Sequence, residues 1–89
     1  MELEEQRAAE NIRKIAKREG FTAEPTVEEF FFPAVGYVEG RPTPSDYHLF
    51  RQFIFKQGEI TAVFRLYRNS EGYLRARRLL DDGTEVRLS

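Results

Sequence analysis

The chain has 89 residues, 40% hydrophobic and 33% charged, with a net charge of −1 at pH 7. That length fits a single compact domain, 1–89, which buries about 60–65% of its unfolded surface. With no cysteine and one histidine, the sequence excludes a disulfide framework, a thiolate nucleophile and a two-histidine metal site.

The small net charge hides an asymmetry. Residues 1–46 carry 6 basic and 10 acidic side chains, whereas residues 47–89 carry 8 basic and 5 acidic. Arginine supplies 11 of the 14 basic residues. Its planar guanidinium forks onto carboxylates and stacks on aromatic rings, so this bias favours specific contacts. The acidic start Met1-Glu2-Leu3-Glu4-Glu5 is unlike a signal peptide. No apolar run reaches the ~18 residues of a membrane span. The expected setting is cytoplasmic, without a membrane partner.

In chain order, 2–19 reads as a helix. Leu3, Ala8/Ala9, Ile12 and Ile15/Ala16 form a narrow apolar stripe at helical spacing. Glu2, Glu4 and Glu5 at its start and Lys14, Lys17 and Arg18 at its end complement the macrodipole. Gly20 suits the residue after the C-cap, with Phe21 closing a Schellman ending. A connector, 21–25, follows. Residues 26–32 admit two readings. Thr26-Val27-Glu28-Glu29 fits a capping box, and Val27, Phe30, Phe31 and Phe32 fit a strand buried on both faces near its end. The strand is preferred, and Pro33 stops either element. Residues 34–38 look extended. Residues 39–46, with Pro42 and Pro44, form a stiff loop in which Arg41 is a candidate contact residue.

The remainder reads as a meander. Strand 47–56 alternates Tyr47, Leu49, Phe53 and Phe55 with His48, Phe50, Gln52 and Ile54. After a turn at Gln57-Gly58, strand 60–68 places Ile60, Ala62, Phe64 and Leu66 opposite Thr61, Val63, Arg65 and Tyr67. Ser70-Glu71-Gly72 and Asp81-Asp82-Gly83 both fit three-residue hairpin loops with glycine in the left-handed position. In that register Leu80 pairs with Thr84 and Arg78 with Val86. Val86 and Leu88 then join the apolar face with Leu74, Ala76 and Leu80. The pattern predicts an α+β fold: one N-terminal helix packed across an antiparallel β-meander of four to five strands, in two layers. The layout resembles cystatin-like and NTF2-like architecture, which implies nothing about function. Arg51 and Arg78 share the parity of the core face, and are expected at its margin with their heads reaching water or the acidic helix; a register shift or bulge is the other account.

The opposite face mixes Phe50, Arg65, Tyr67, Tyr73, Arg75 and Arg77. Tyrosine and arginine dominate protein-interface hot spots. Folding alone explains the apolar face but not this one. No catalytic, cofactor-binding or metal-binding motif stands out. His48, on a strand, reads as an ordinary surface or margin histidine before a general base, Asp81-Asp82-Gly83 is ordinary turn chemistry, and the six glycines are isolated. The expected function is therefore a small non-enzymatic protein-binding module. It would be of inhibitor or adaptor type, such as bacteria and phages encode, would dock by its Tyr/Arg face on an acidic partner, and could homodimerise. The alternative is a single-stranded nucleic-acid-binding domain using the same aromatic and basic residues. The pI near 5.9 and the lack of an RRM signature make nucleic acid the weaker choice.

Overall fold

The computed structural model describes residues 3–30, 47–69 and 71–88. It has the expected two-layer α+β architecture. Helix α1 (Leu3–Arg18) is followed by strands β1 (Thr26–Glu29), β2 (Tyr47–Gln57), β3 (Ile60–Asn69), β4 (Leu74–Leu79) and β5 (Glu85–Arg87). The strands form one antiparallel sheet in sequence order. The helix lies against β3 and β4.

Helix α1 ends as its sequence dictates. Gly20 takes φ +102°, Phe21 N–H donates to Ala16 C=O at 3.0 Å and Gly20 N–H donates to Lys17 C=O at 3.0 Å. Those two bonds define a Schellman motif, and the left-handed backbone at Gly20 explains the choice of residue. The motif turns Phe21 into the core beside Ala16. Ile12, Ala16 and Phe21 then pack on Phe53, Phe55, Ala62, Phe64 and Leu66 from the sheet. Phe64 is fully buried, with Phe55 edge-on to it at 5.6 Å between centroids. Each large side chain buried this way contributes about 1.5–3 kcal/mol.

The two later hairpins have the predicted register. Leu80 N–H donates to Thr84 C=O at 2.8 Å, and Arg78 pairs with Val86. Gly83 takes φ +91°, the left-handed position of the three-residue loop. Asn69 N–H donates to Tyr73 C=O at 3.1 Å, which closes the other loop. The Asn69 side chain helps, accepting from the backbone of Glu71 and Tyr73 at 3.0 and 2.9 Å. Asp82 works similarly, accepting from Thr84 N–H and Thr84 Oγ1 at 3.0 and 2.7 Å. These bonds hold the Asp82 carboxyl below its ordinary value.

Four expectations need correction. First, β2 does not alternate without interruption. Its register against β3 shifts between Leu49 and Arg51, which makes Phe50 an extra, bulged residue. The bulge inverts parity on its N-terminal side. Leu49 pairs with Tyr67 and Tyr47 with Asn69, so both belong to the outer face. Phe50 packs on the core cluster instead. Secondly, β1 is a strand, but all four residues of Thr26–Glu29 are exposed, Val27 included, and it is the edge of the sheet among the described residues; Phe31 and Phe32, at the end expected to be buried on both faces, lie outside them. Thirdly, Ile60, Leu80 and Val86 lie on the core face yet remain exposed, because the helix covers the sheet centre and not its rim. Fourthly, Leu3 of the expected stripe is exposed, and Glu5 is the buried residue of that first turn.

The two arginines of core parity behave as expected. Arg51 Nη2 lies 3.4 Å from Glu5 Oε2 near the start of α1, and Arg78 bonds Glu19 just beyond its end. Arg78 also passes over the Phe64 ring, 5.3 Å from its centroid. A carboxylate at a helix C-terminus opposes the macrodipole, and the Arg78 cation offsets it.

Candidate functional site

The outer face is built in rows across the sheet. One row runs Glu28, Gln52, Arg65, Arg77, Arg87 through all five strands. The next runs Ile54, Val63, Leu79, Glu85, and a third carries Leu49, Tyr67 and Arg75. Leu49, Ile54, Val63 and Leu79 are half-buried, whereas Tyr73 beside the hairpin loop is 60% exposed.

Half of the face is internally bonded. Gln52 Nε2 donates to Glu28 Oε1 at 2.7 Å, and Arg65 Nε donates to Gln52 Oε1 at 2.8 Å. Arg65 Nη1 and the Tyr67 hydroxyl both donate to Glu85 Oε2, at 2.7 and 2.5 Å. The bond to Glu85 holds the Arg65 guanidinium above its usual value, against the opposing effect of burial. Burial, followed by the bond to Glu85, raises the Tyr67 phenol. Burial alone would raise the Glu85 carboxyl, but the bonds from Tyr67 and Arg65 outweigh it and hold the group below its ordinary value. Each member of this network fixes the next.

The other half is not paired. Among the described residues no carboxylate lies within ion-pair distance of Arg75, Arg77 or Arg87. Arg75 stacks on the Tyr47 ring at 3.9 Å from its centroid, and Arg77 bonds the Ala76 carbonyl at 3.2 Å. Tyr47, Tyr67, Arg75, Arg77 and Glu85 line a shallow hollow of about 200 Å³. Its lining is cationic and phenolic, and the one anion among the described lining residues, Glu85, is already engaged by Arg65 and Tyr67.

The sequence-predicted residues therefore divide. Tyr73, Arg75 and Arg77 share the part of the outer face that carries no ion pair among the described residues. Arg65 and Tyr67 lie beside it as part of its scaffold. Phe50 belongs to the opposite face, between the guanidinium groups of Arg51 and Arg68 at 4.7 and 4.9 Å from its centroid. Arg41, like the loop 39–46 and the segment 31–38, lies outside the described residues. Arg87 and Tyr47 were not singled out by sequence reasoning. Arg87 is signalled only by the register of the last hairpin, and Tyr47 was hidden by the bulge. His48 pairs with Arg68 on the side of the bulge that carries Phe50. Burial, then the Arg68 charge, pushes its imidazole below the ordinary 6.5.

Among the described residues no group of three or more His, Cys, Asp or Glu side chains converges as a metal site would require, and no helix is long and apolar enough to cross a membrane. The fold defines the class of the chain as a two-layer α+β domain with one helix on a five-stranded meander. No protein-family model matches the chain, and no curated protein or solved structure matches it.

Proposed function

We propose that this is a non-enzymatic protein-binding module of inhibitor or adaptor type that docks the β4–β5 half of its outer sheet face on an acidic partner surface. The observation that carries the reading is the contrast among its arginines. Arg51, Arg65 and Arg78 each meet a carboxylate, whereas Arg75, Arg77 and Arg87, on one face, have none within ion-pair distance among the described residues. Guanidinium groups clustered beside an exposed tyrosine are the composition of an interface hot spot. The bonded half, from Glu28 to Tyr67, holds that surface rigid, which lowers the entropy cost of docking.

Two comparisons favour a different, acidic protein as the partner. A two-fold symmetric homodimer through this face would bring the arginine strip against its own copy, with like charges opposed. Single-stranded nucleic acid needs open aromatic platforms. Arg75 already covers Tyr47, the Tyr67 hydroxyl is held by Glu85 and Phe50 faces the other way, which leaves Tyr73 as the one open ring of this face among the described residues. The test is capture of partners by tagged wild type and by the triple variant Arg75→Glu, Arg77→Glu, Arg87→Glu, with circular dichroism confirming the fold. The reading expects a protein retained by the wild type and lost by the variant. Equal retention would overturn it.

A further inference from the structure

The last strand has an edge whose charges complement themselves. Strand β5 closes the sheet, and among the described residues no strand pairs with its outer side. Leu80 N–H donates to Thr84 C=O, so Thr84 and, by alternation, Val86 turn their backbone groups toward β4. Glu85 and Arg87 therefore turn theirs outward. An open strand edge is a template for further pairing. The side chains have capacity to spare. Arg87 has no carboxylate within ion-pair distance among the described residues. Both bonds to Glu85 fall on Oε2, which leaves Oε1 to accept. On the core face Val86 is 42% exposed and Leu80 38%.

We infer that β5 is a self-association edge, on which a second copy of this chain pairs antiparallel about Val86. The outward backbone groups allow registers centred on Glu85, on Val86 or on Arg87. Centring on Glu85 or on Arg87 sets a charge directly opposite its own copy, which is destabilising. Centring on Val86 sets Glu85 opposite the second copy's Arg87, and Arg87 opposite the second copy's Glu85. Each outward N–H and C=O of these residues then gains a partner. Val86 meets its own copy in the closely spaced, non-hydrogen-bonded pair, which covers exposed apolar surface. Strand β1 at the other edge does not match itself in this way, because both its charges, Glu28 and Glu29, are negative. The two-fold axis of the β5 contact stands perpendicular to the sheet, so the outer faces of both copies look the same way. Arg75 and Arg77 stay open, and the arginine strips are not opposed as they are in a face-to-face dimer. The inference does not rest on the docking reading.

The test is sedimentation velocity of the intact chain at concentrations up to about 1 mM, the range of weak contacts, beside disulfide capture. Wild type is expected to associate reversibly to a dimer. Arg87→Glu sets carboxylates opposite each other at both pairs, and should weaken association about tenfold with circular dichroism unchanged. The chain has no cysteine, so Val86→Cys places a single thiol beside the axis. Mild oxidation should join two copies through it. Leu80→Cys, similarly exposed on the same face but one strand inward, should not be captured. A wild type that stays monomeric, equal association of Arg87→Glu, or equal capture at both cysteines would overturn the inference.

Discussion

Arg65 and Glu85 are bonded at 2.7 Å across the intervening strand β4, although neither is the other's ladder partner. Arg65 pairs with Arg77, and Glu85 with Leu79. The bond is diagonal, and it ties the last strand to the sheet centre. It also removes Arg65 from the set of groups available to a partner. Glu85→Gln is expected to cost about 1–2 kcal/mol, the scale of charge-assisted bonds that are partly exposed. Urea denaturation measures that cost. Partner capture should survive the substitution.

The same carboxyl predicts a pH dependence. Its folded value lies below the ordinary 4.5, so its contribution to stability is present above that value. It is lost as pH falls through 4.5 and on toward the folded value. His48 acts in the same direction in a higher window. Its folded value lies below 6.5, so the unfolded chain binds more protons and stability falls as pH drops below 6.5. Melting temperature measured from pH 8 to pH 3 should decline in both windows. His48→Gln should flatten the upper decline, and Glu85→Gln the lower.

The helix is held to the sheet by its apolar stripe and by Glu5–Arg51 and Glu19–Arg78 at its two ends. Arg51→Met alone strands the Glu5 carboxylate in a buried place and is expected to destabilise by about 2–3 kcal/mol or more. The double variant Arg51→Met, Glu5→Gln should recover part of that loss. A double-mutant cycle in denaturant reads the coupling. Phe64→Ala, at the core centre, is expected to cost about 3–5 kcal/mol. Ile60→Ala, 65% exposed at the rim, should stay within about 0.5 kcal/mol.

The bulge at Phe50 separates two readings of β2. Phe50→Ser should destabilise by about 1–3 kcal/mol, because it removes a ring packed on the core cluster and flanked by two guanidinium groups. The substitution should not impair partner capture. Uninterrupted alternation would predict the reverse pair of outcomes.

Much of the fold is legible in the sequence, for identifiable reasons. Gly20 and Phe21 mark the helix end by a motif that few other residues satisfy. Gly83 fixes a loop length, and only that length puts Val86 opposite Arg78 on the core face. Arg51 and Arg78 are readable as marginal because their parity conflicts with their charge. A bulge is admitted by the charge of Arg51 at a position of core parity, but its place is not legible. Tyr47, Leu49 and Phe50 are all apolar or aromatic, so neither parity is excluded and no glycine signals the slip. The burial of Glu5 is not legible either, since an acidic residue in a first helical turn is already explained by the macrodipole. At the candidate site, residue types identify the face. They do not say which arginines are spent on internal bonds, because the Arg65–Glu85 diagonal depends on the three-dimensional course of β3 to β5.

Photo-crosslinking in the native cell tests the docking claim most directly, with benzoylphenylalanine placed at Tyr73 or at Val86. Both positions are exposed, at 60% and 42%, but they lie on opposite faces of the sheet. The account predicts a protein adduct from position 73, mapped to an acidic stretch of the partner, and from position 86 none to any protein but a second copy of the chain. Any other adduct from position 86 alone, or equally from both, would contradict it.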